Sequence, residues 1–266
     1  MPASTTPWDY IAKLVCIGDS GCGKSSLTIR LCEGRFVTHH DVTIGVEFGS
    51  RIVPVGPPHS SETDIISSLS TTVDASNTQA TSSGLPEPRI ILAPASADSQ
   101  KHMKLSLWDT AGQETYKSVT RSYFRGASGA LLVFDLTRKK TFQHVTDWLN
   151  DLRQIAEPDI VVVLVGNKAD LAQTQSDDEE KREVTREEAE EWARRNGVLE
   201  YVETSAKSGE NVEKAFMRVA ERIYQNIQAG KYDLNDRRSG VKVPGAGVPR
   251  PVRLTNEKKS ATAGCC

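Results

Sequence analysis

Gly18-Asp-Ser-Gly-Cys-Gly-Lys-Ser25 is the stretch whose reading decides the fold. Gly18 and Gly23, with four residues between them and Lys24-Ser25 following at once, have the spacing of a loop that cradles phosphate. The run Lys13-Leu-Val-Cys-Ile17 before it has the look of a buried strand, and Ser25-Ser-Leu-Thr-Ile-Arg-Leu31 after it of a helix beginning. Glycines without a Cβ let successive backbone N–H groups turn inward around an anion, and a helix N-terminus adds its partial positive charge. In such a loop Lys24 reaches the β and γ phosphates and the Ser25 hydroxyl ligates Mg²⁺. A glycine-rich turn without a ligand is the competing reading. A strand on one side and a helix on the other argue against it.

Composition narrows the classes. The chain has 266 residues, room for one large domain or two small ones. A formal net charge of -2 argues against binding nucleic acid through bulk charge, and no nucleic-acid partner is expected. No apolar run approaches the ~18 residues that cross a bilayer. Pro2 occupies the position where the myristoylation pattern needs glycine, and no signal-peptide core is visible. Cys16, Cys22 and Cys32 are scattered through the phosphate-loop region, which suits reduced thiols better than a disulfide framework.

Strand-like runs alternate with helical patterns, which predicts an α/β fold: a mostly parallel, six-stranded sheet with helices on both faces. After the first strand the expected strands are 46–55, 104–108, 130–135, 160–166 and 199–203. Phe142, Val145, Leu149, Leu152 and Ile155 keep helical spacing, and Thr185-Arg-Glu-Glu188 has the form of a capping box for a helix that Gly197 ends. Val212, Ala215, Phe216, Val219, Ile223 and Ile227 make the stripe of a last helix. The expected organisation is an N-terminal tail over 1–7, one domain over 8–230, and a flexible tail over 231–266. Residues 56–100, rich in Ser, Thr, Pro and Ala, cannot bury enough surface to offset the entropy of ordering and are expected to form a disordered insertion. A docking loop, a phosphorylation target and intron sequence retained in a gene model are all open readings of it. The acidic run around Asp177-Asp-Glu-Glu180 is expected to be a solvated loop without chemistry.

A phosphate loop alone admits ATPases, nucleotide kinases and GTPases. Trp108-Asp109-Thr-Ala-Gly-Gln-Glu114 follows a strand, so Asp109 falls at its carboxyl end beside the loop. There it can hold Mg²⁺ through water, the Gly112 N–H can bond the γ-phosphate, and Gln113 can orient the attacking water. Asn167-Lys-Ala-Asp170 selects the base. A carboxylate at Asp170 accepts from N1–H and the 2-amino group of guanine, whereas adenine leaves it unpaired; such a site rejects the wrong partner by roughly 10⁴-fold. Lys168 lays its stem along the base and Asn167 ties its loop to neighbouring loops. Ser205-Ala-Lys207 offers the Ala206 N–H to the guanine O6.

These residues together resemble the Ras-like small GTPases and, within them, the Rab family, over about residues 8–230 apart from the insertion, and in the tail ending. Thr43-Ile-Gly-Val-Glu-Phe48, Tyr123-Phe-Arg-Gly-Ala127 and Leu132-Val-Phe-Asp-Leu-Thr137 are similar to Rab segments. His40-Asp-Val-Thr-Ile-Gly-Val-Glu-Phe-Gly-Ser-Arg51, with Tyr232-Asp-Leu-Asn235 and Gly240-Val-Lys-Val243, is most similar to the branch numbered two, four and fourteen. The resemblance implies a nucleotide site of Ser20, Gly21, Cys22, Gly23, Lys24, Ser25, Ser26, Phe36, Thr43, Gly112, Asn167, Lys168, Asp170, Ser205, Ala206 and Lys207. It implies Mg²⁺ on Ser25, Thr43 and Asp109, with GTP as substrate and GDP as product, and Gln113 as the catalytic residue.

It further implies a switch. Two segments, about 36–48 and 110–126, are ordered while the γ-phosphate holds Thr43 and Gly112 and are released by hydrolysis. Ile44, Phe48, Trp108 and Tyr123 would present an effector patch, core packing being the alternative for each ring. Implied partners are an exchange factor, a GTPase-activating protein, effectors, and escort and GDP-dissociation-inhibitor proteins. The ending Cys265-Cys266 is similar to Rab prenylation endings, and Arg237, Arg238, Lys242, Arg250, Arg253, Lys258 and Lys259 precede it. The expected place is the cytoplasmic face of intracellular membranes, Golgi or endosomal, with a cytosolic pool and a role in vesicle trafficking. Two other readings remain: an ATP-dependent enzyme, and a nucleotide-bound scaffold whose switching the insertion alters.

Overall fold

The computed structural model describes residues 7–38, 41–59, 100–113, 117–172, 181–234, 236 and 239–244. The strands are β1 (Tyr10–Ile17), β2 (Val46–Val55), β3 (Lys101–Thr110), β4 (Gly129–Asp135), β5 (Val161–Asn167), β6 (Glu200–Thr204) and β7 (Val241–Lys242). The helices are α1 (Lys24–Glu33), α2 (Lys117–Ser122), α3 (Lys139–Gln143), α4 (Val145–Arg153), α5 (Ala169–Ala172), α6 (Arg186–Arg195) and α7 (Val212–Gln228). The main sheet runs β2-β3-β1-β4-β5-β6. All neighbours are parallel except the β2–β3 hairpin.

β4 and β5 are buried along their whole length and apolar up to Asp135 and Asn167 at their ends, as strands covered on both faces are. Ala12, Leu14 and Cys16 of β1, with Leu131 and Val133 of β4, join the core that includes α1 and α7. Val15 and Ile17, with Ala130, Leu132 and Phe134, join the opposite core, which includes α4 and α6. The expected capping box is half present: the Thr185 side chain accepts a hydrogen bond from the Glu188 N–H, and Gly197, at φ 61°, follows the helix end at Asn196. Because β1, β4, β5 and β6 are parallel, Gly18, Asp135, Asn167 and Thr204 are brought to one edge of the sheet. The topology thereby fixes where a ligand goes.

Residues 60–99, most of the acidic run and Cys265-Cys266 lie outside the described residues. The ends of the insertion are nevertheless in view. The hairpin register holds to Val55 opposite Lys101. The Gln100 amide donates to the Val55 carbonyl at 2.9 Å and accepts from the His59 N–H at 3.2 Å, closing the base of the loop. Residues 56–59 and 100 are thus part of the folded domain, contrary to the expected boundaries.

The sheet has one strand more than the sequence predicts, and it comes from the stretch expected to be a free tail. β4 pairs with β1 only from Leu14 onward, so the first half of β1 has an open edge. β7 fills it, antiparallel, with Ala12 opposite Val241 and Ile11 opposite Lys242. The Lys13 N–H donates to the Gly240 carbonyl at 2.9 Å. Val241 is fully buried in the core, where a valine brought in by a two-residue strand leaves no periodicity to read. Gly240 is obligatory for steric reasons: a Cβ there would stand 1.9 Å from the Gly126 carbonyl oxygen. Gly240→Ala should therefore detach β7. Overpacking of this kind costs about 1–3 kcal/mol, and amide exchange at Lys13 should quicken while that of Val15–Ile17 stays slow. Unchanged exchange at Lys13 would show that the strand contributes nothing to the edge.

Candidate functional site

The loop after β1 begins against its neighbour strand. Gly18 sits at φ 137°, where a Cβ would lie 2.0 Å from the Val133 carbonyl oxygen. Gly21 and Gly23 also have positive φ. Gly23 caps α1 in the left-handed conformation, as an inward-turned loop at a helix N-terminus requires. Lys24 is buried, and its ammonium donates to the Gly18 and Asp19 carbonyls, both at 2.9 Å. The Asp19 carboxylate points the other way: Trp148 Nε1 donates to it at 2.8 Å and His144 Nδ1 lies 2.7 Å away. A negative side chain next to a phosphate site is thus tied down towards α4.

A cavity of about 510 Å³ opens over this loop. Ser20, Gly21, Gly23, Lys24, Ser25 and Ser26 line it at one end; Asn167, Lys168, Asp170, Ala206 and Lys207 at the other; Phe36, Thr43 and Gly112 close its flank. Three expected residues play other parts. Cys22 is buried and outside the cavity wall, its carbonyl accepting from Asn167 Nδ2 at 2.8 Å. Ser205 holds Asp170, its hydroxyl donating to the carboxylate at 2.6 Å. Gln113 follows Gly112 but is not part of the cavity wall.

At the loop end, the Ser25 hydroxyl donates to the Asp109 carboxylate and lies 3.0 Å from the Thr43 hydroxyl. Two hydroxyls and one carboxylate from three separate segments are hard oxygen donors, which suit Mg²⁺ held together with phosphate oxygens. Among the described residues no cluster of three His, Cys, Asp or Glu side chains offers a rival site. Burial pushes the Cys16 thiol up to about 12 and the Cys22 thiol above its usual range, so neither is a thiolate nucleophile.

At the other end Asn167 holds three strand ends together. Its Oδ1 accepts from Thr204 Oγ1 at 3.2 Å and from the Ala206 N–H at 3.3 Å while Nδ2 reaches Cys22. Lys168 takes φ 69°, a conformation that costs a non-glycine residue of order 1 kcal/mol. Its ammonium pairs with Asp135 at 2.8 Å. Asp135, buried at the end of β4, also accepts from the Thr137 N–H and hydroxyl and from Arg138 Nε. Burial acts to raise its pKa, but the bonds from Lys168 and Thr137 prevail and hold the carboxyl below the usual carboxylate range. Neither Asp135 nor Arg138 was singled out for a role in the sequence, nor was Arg30, whose Nε donates to the Ala206 carbonyl at 2.8 Å. An acid closing the apolar run Gly129–Phe134 is the signal that marks Asp135.

Beside the cavity, Phe48 is 65% exposed and Ile44 78%. Trp108 and Tyr123 are half-buried. Phe48 meets Trp108 edge-on at 4.6 Å between ring centres, and Trp108 meets Tyr123 at 5.7 Å. The Lys13 ammonium sits over the Trp108 ring at 3.9 Å. The three rings form one surface cluster, not three separate core residues.

Compared with models of protein families, residues 13–66 and 92–225 match the Ras family. The stretch left between the two matched parts, 67–91, is narrower than the insertion delimited from composition. Every segment that builds the cavity lies within the matched residues. Ras-family proteins are small GTPases that bind GTP and GDP with Mg²⁺, and the hydroxyl and carboxylate donors described above fit that ion. This chain belongs to the Ras family.

Proposed function

We propose that the chain is a Rab-type switch: it binds GTP, hydrolyses it slowly to GDP, and signals the difference through the two segments that carry Thr43 and Gly112. The observation that carries this reading is the cavity itself, whose phosphate end is closed by residues from those two segments. A γ-phosphate bonded to Thr43 and Gly112 couples both to the nucleotide, and its loss frees both. Mg²⁺, when bound, neutralises charge that develops on the phosphates. Lys24 and the loop N–H groups orient the phosphates. Asp170, oriented by Ser205, takes the guanine N1–H and amino group.

Gln113 orients water, and among the described residues no arginine is free to help it in cis. Arg138 lies against the loop, but its guanidinium is engaged by Asp135 and by the Ser20 carbonyl at 3.1 Å. An activating partner that adds positive charge speeds such hydrolysis by roughly 10³–10⁵. An exchange factor reverses the cycle. Effectors read the cluster of Ile44, Phe48, Trp108 and Tyr123, and the half-exposed aromatic rings favour a protein partner there.

Cys265 and Cys266, carrying geranylgeranyl groups, anchor the protein to an intracellular membrane of the Golgi or endosomal system in vesicle trafficking. Escort and GDP-dissociation-inhibitor proteins handle the lipidated form in the cytosol. The sequence likeness to the branch numbered two, four and fourteen supports this assignment. The scaffold alternative loses ground because the insertion leaves the sheet at Val55 and Lys101. From Val46 and Thr110, beside the cavity, that is nine residue steps or about 30 Å of strand.

Three outcomes test these statements. GDP should displace bound GDP at least roughly 10⁴-fold more effectively than ADP; comparable competition by ADP would return the ATP-dependent reading. Gln113→Leu should lower activator-stimulated single-turnover hydrolysis by about 10²-fold or more, and a rate equal to wild type removes Gln113 from the catalytic role. Removing Cys265 and Cys266 should move the protein from the membrane pellet of a cell lysate to the supernatant. Undiminished pelleting would mean that other contacts hold it.

A further inference from the structure

Asp135 is a buried charge that the cavity does not expose and that neither hydrolysis nor metal binding uses. Its side chain is 1% exposed, and each oxygen has two donors. Oδ1 takes the Thr137 N–H at 2.9 Å and hydroxyl at 2.7 Å; Oδ2 takes Arg138 Nε and Lys168 Nζ, both at 2.8 Å. A buried carboxylate is costly unless fully paired, and this one is. What matters is where its two cations go next.

Lys168 forms one wall of the cavity at its base end and holds a left-handed backbone conformation. Fixing its ammonium to Asp135 fixes the direction of its stem. Arg138 runs the other way. Its Nη2 donates to the Ser20 carbonyl at 3.1 Å and lies 3.8 Å from Cys22 Sγ, against the outer side of the phosphate loop. The loop is fitted to it, since a Cβ on Gly21 would stand 3.3 Å from the guanidinium. Asp135 is itself fixed, sitting opposite Asn167 in the β4–β5 ladder with its N–H donating to Thr141 Oγ1 at 3.0 Å.

We infer that Asp135 is a positioning residue for nucleotide retention: one carboxylate that couples the base-recognition residue Lys168 to the phosphate loop through Arg138. It runs parallel to the link that Asn167 makes through Cys22. Both ends of the cavity then loosen together when the carboxylate is lost, and the bound nucleotide leaves faster. The chemical step is affected far less, because the hydrogen bonds and ion pairs described for Asp135 go to Thr137, Arg138, Thr141 and Lys168 and not to Thr43, Gly112 or Gln113. The inference rests on the guanine-nucleotide reading of the cavity.

The test uses the full chain loaded with fluorescent N-methylanthraniloyl-GDP in Mg²⁺, chased with excess GDP. Release should be about tenfold faster in Asp135→Asn and in Arg138→Ala, the scale expected when a charged partner leaves a buried network. The double variant should be no faster than the faster single one, since both break the same link. Single-turnover GTP hydrolysis should change by less than about twofold in all three, whereas a merely structural lesion speeds release and lowers hydrolysis together. Release within about twofold of wild type overturns the inference, as does multiplication of the two effects in the double variant or a parallel fall in hydrolysis. Should Asp135→Asn fail to fold by circular dichroism, Arg138→Ala decides alone, its side chain being 45% exposed. A wild-type chain that does not retain GDP overturns the reading of the cavity; retention with unchanged variant rates overturns only the role of Asp135.

Discussion

The site depends on one side-chain amide. Backbone N–H groups can surround an anion only if the loop that carries them stays open, and loops without a core of their own do not hold shape. Asn167 supplies the constraint by donating to the Cys22 carbonyl and accepting from Thr204 and the Ala206 N–H. It is 1% exposed, so these bonds are made in a dry environment where a missing partner is expensive. Its own position is set by the β5–β6 ladder, in which Asn167 faces Thr204. Sheet register thus becomes loop geometry through three hydrogen bonds. Gly23 completes the fit, since a Cβ there would stand 2.3 Å from Asn167 Nδ2. The glycine is needed both for its positive φ and for this contact.

Most of this was legible in the sequence because it is local. A strand buried on both faces must be apolar throughout, so β4 and β5 announced themselves, and the residues that follow such strands fall at one edge by topology alone. Asp109, Lys168 and Asp170 were found in that way, Ser25 by the spacing of its loop, and Thr43 only through the family resemblance. What escaped joins parts of the chain far apart. Arg30 bonds the Ala206 carbonyl, and nothing in the helical pattern of α1 distinguishes that arginine from a solvated one. Asp135 is visible as an acid at the end of an apolar run, yet its partners Arg138 and Lys168 become visible only once β4 and β5 lie side by side. β7 is the extreme case: two residues long, it exists because the first half of β1 lacks a partner on one side.

The hairpin that carries the insertion illustrates how a fold absorbs an unusual segment. Loop-closure entropy rises only about 0.6 kcal/mol for each doubling of length, so the requirement is not a short loop but a closed base. That base is secured three times over. The ladder continues to Val55 and Lys101, the Gln100 side chain spans both strands, and the Gly56 N–H donates to Glu221 of α7 at 3.0 Å. A Cβ on Gly56 would meet the Tyr224 ring at 2.4 Å, so the chain turns here directly against the helix. Whatever residues 60–99 do, their attachment points are fastened to the domain's last helix and not to the strand ends beside the cavity.

β7 has a consequence for how the proposed membrane anchor meets the GTPase domain. Without it, a tether to Cys265 would start where α7 ends, at Gln228, and its reach at full extension would be about 130 Å. With β7 seated, the chain is fixed to the sheet as far as Lys242, and the 23 steps from there to Cys265 span at most about 80 Å. The attachment point also moves. Ile11 and Ala12, which β7 pairs with, lie at the start of β1, whereas the phosphate loop follows its end. The tether then departs from the edge of the sheet opposite the cavity. That leaves the cavity clear of the lipid attachment. The ring cluster is not set apart in the same way, since the Lys13 ammonium lies over the Trp108 ring while the Lys13 N–H donates to the Gly240 carbonyl at the entry to β7.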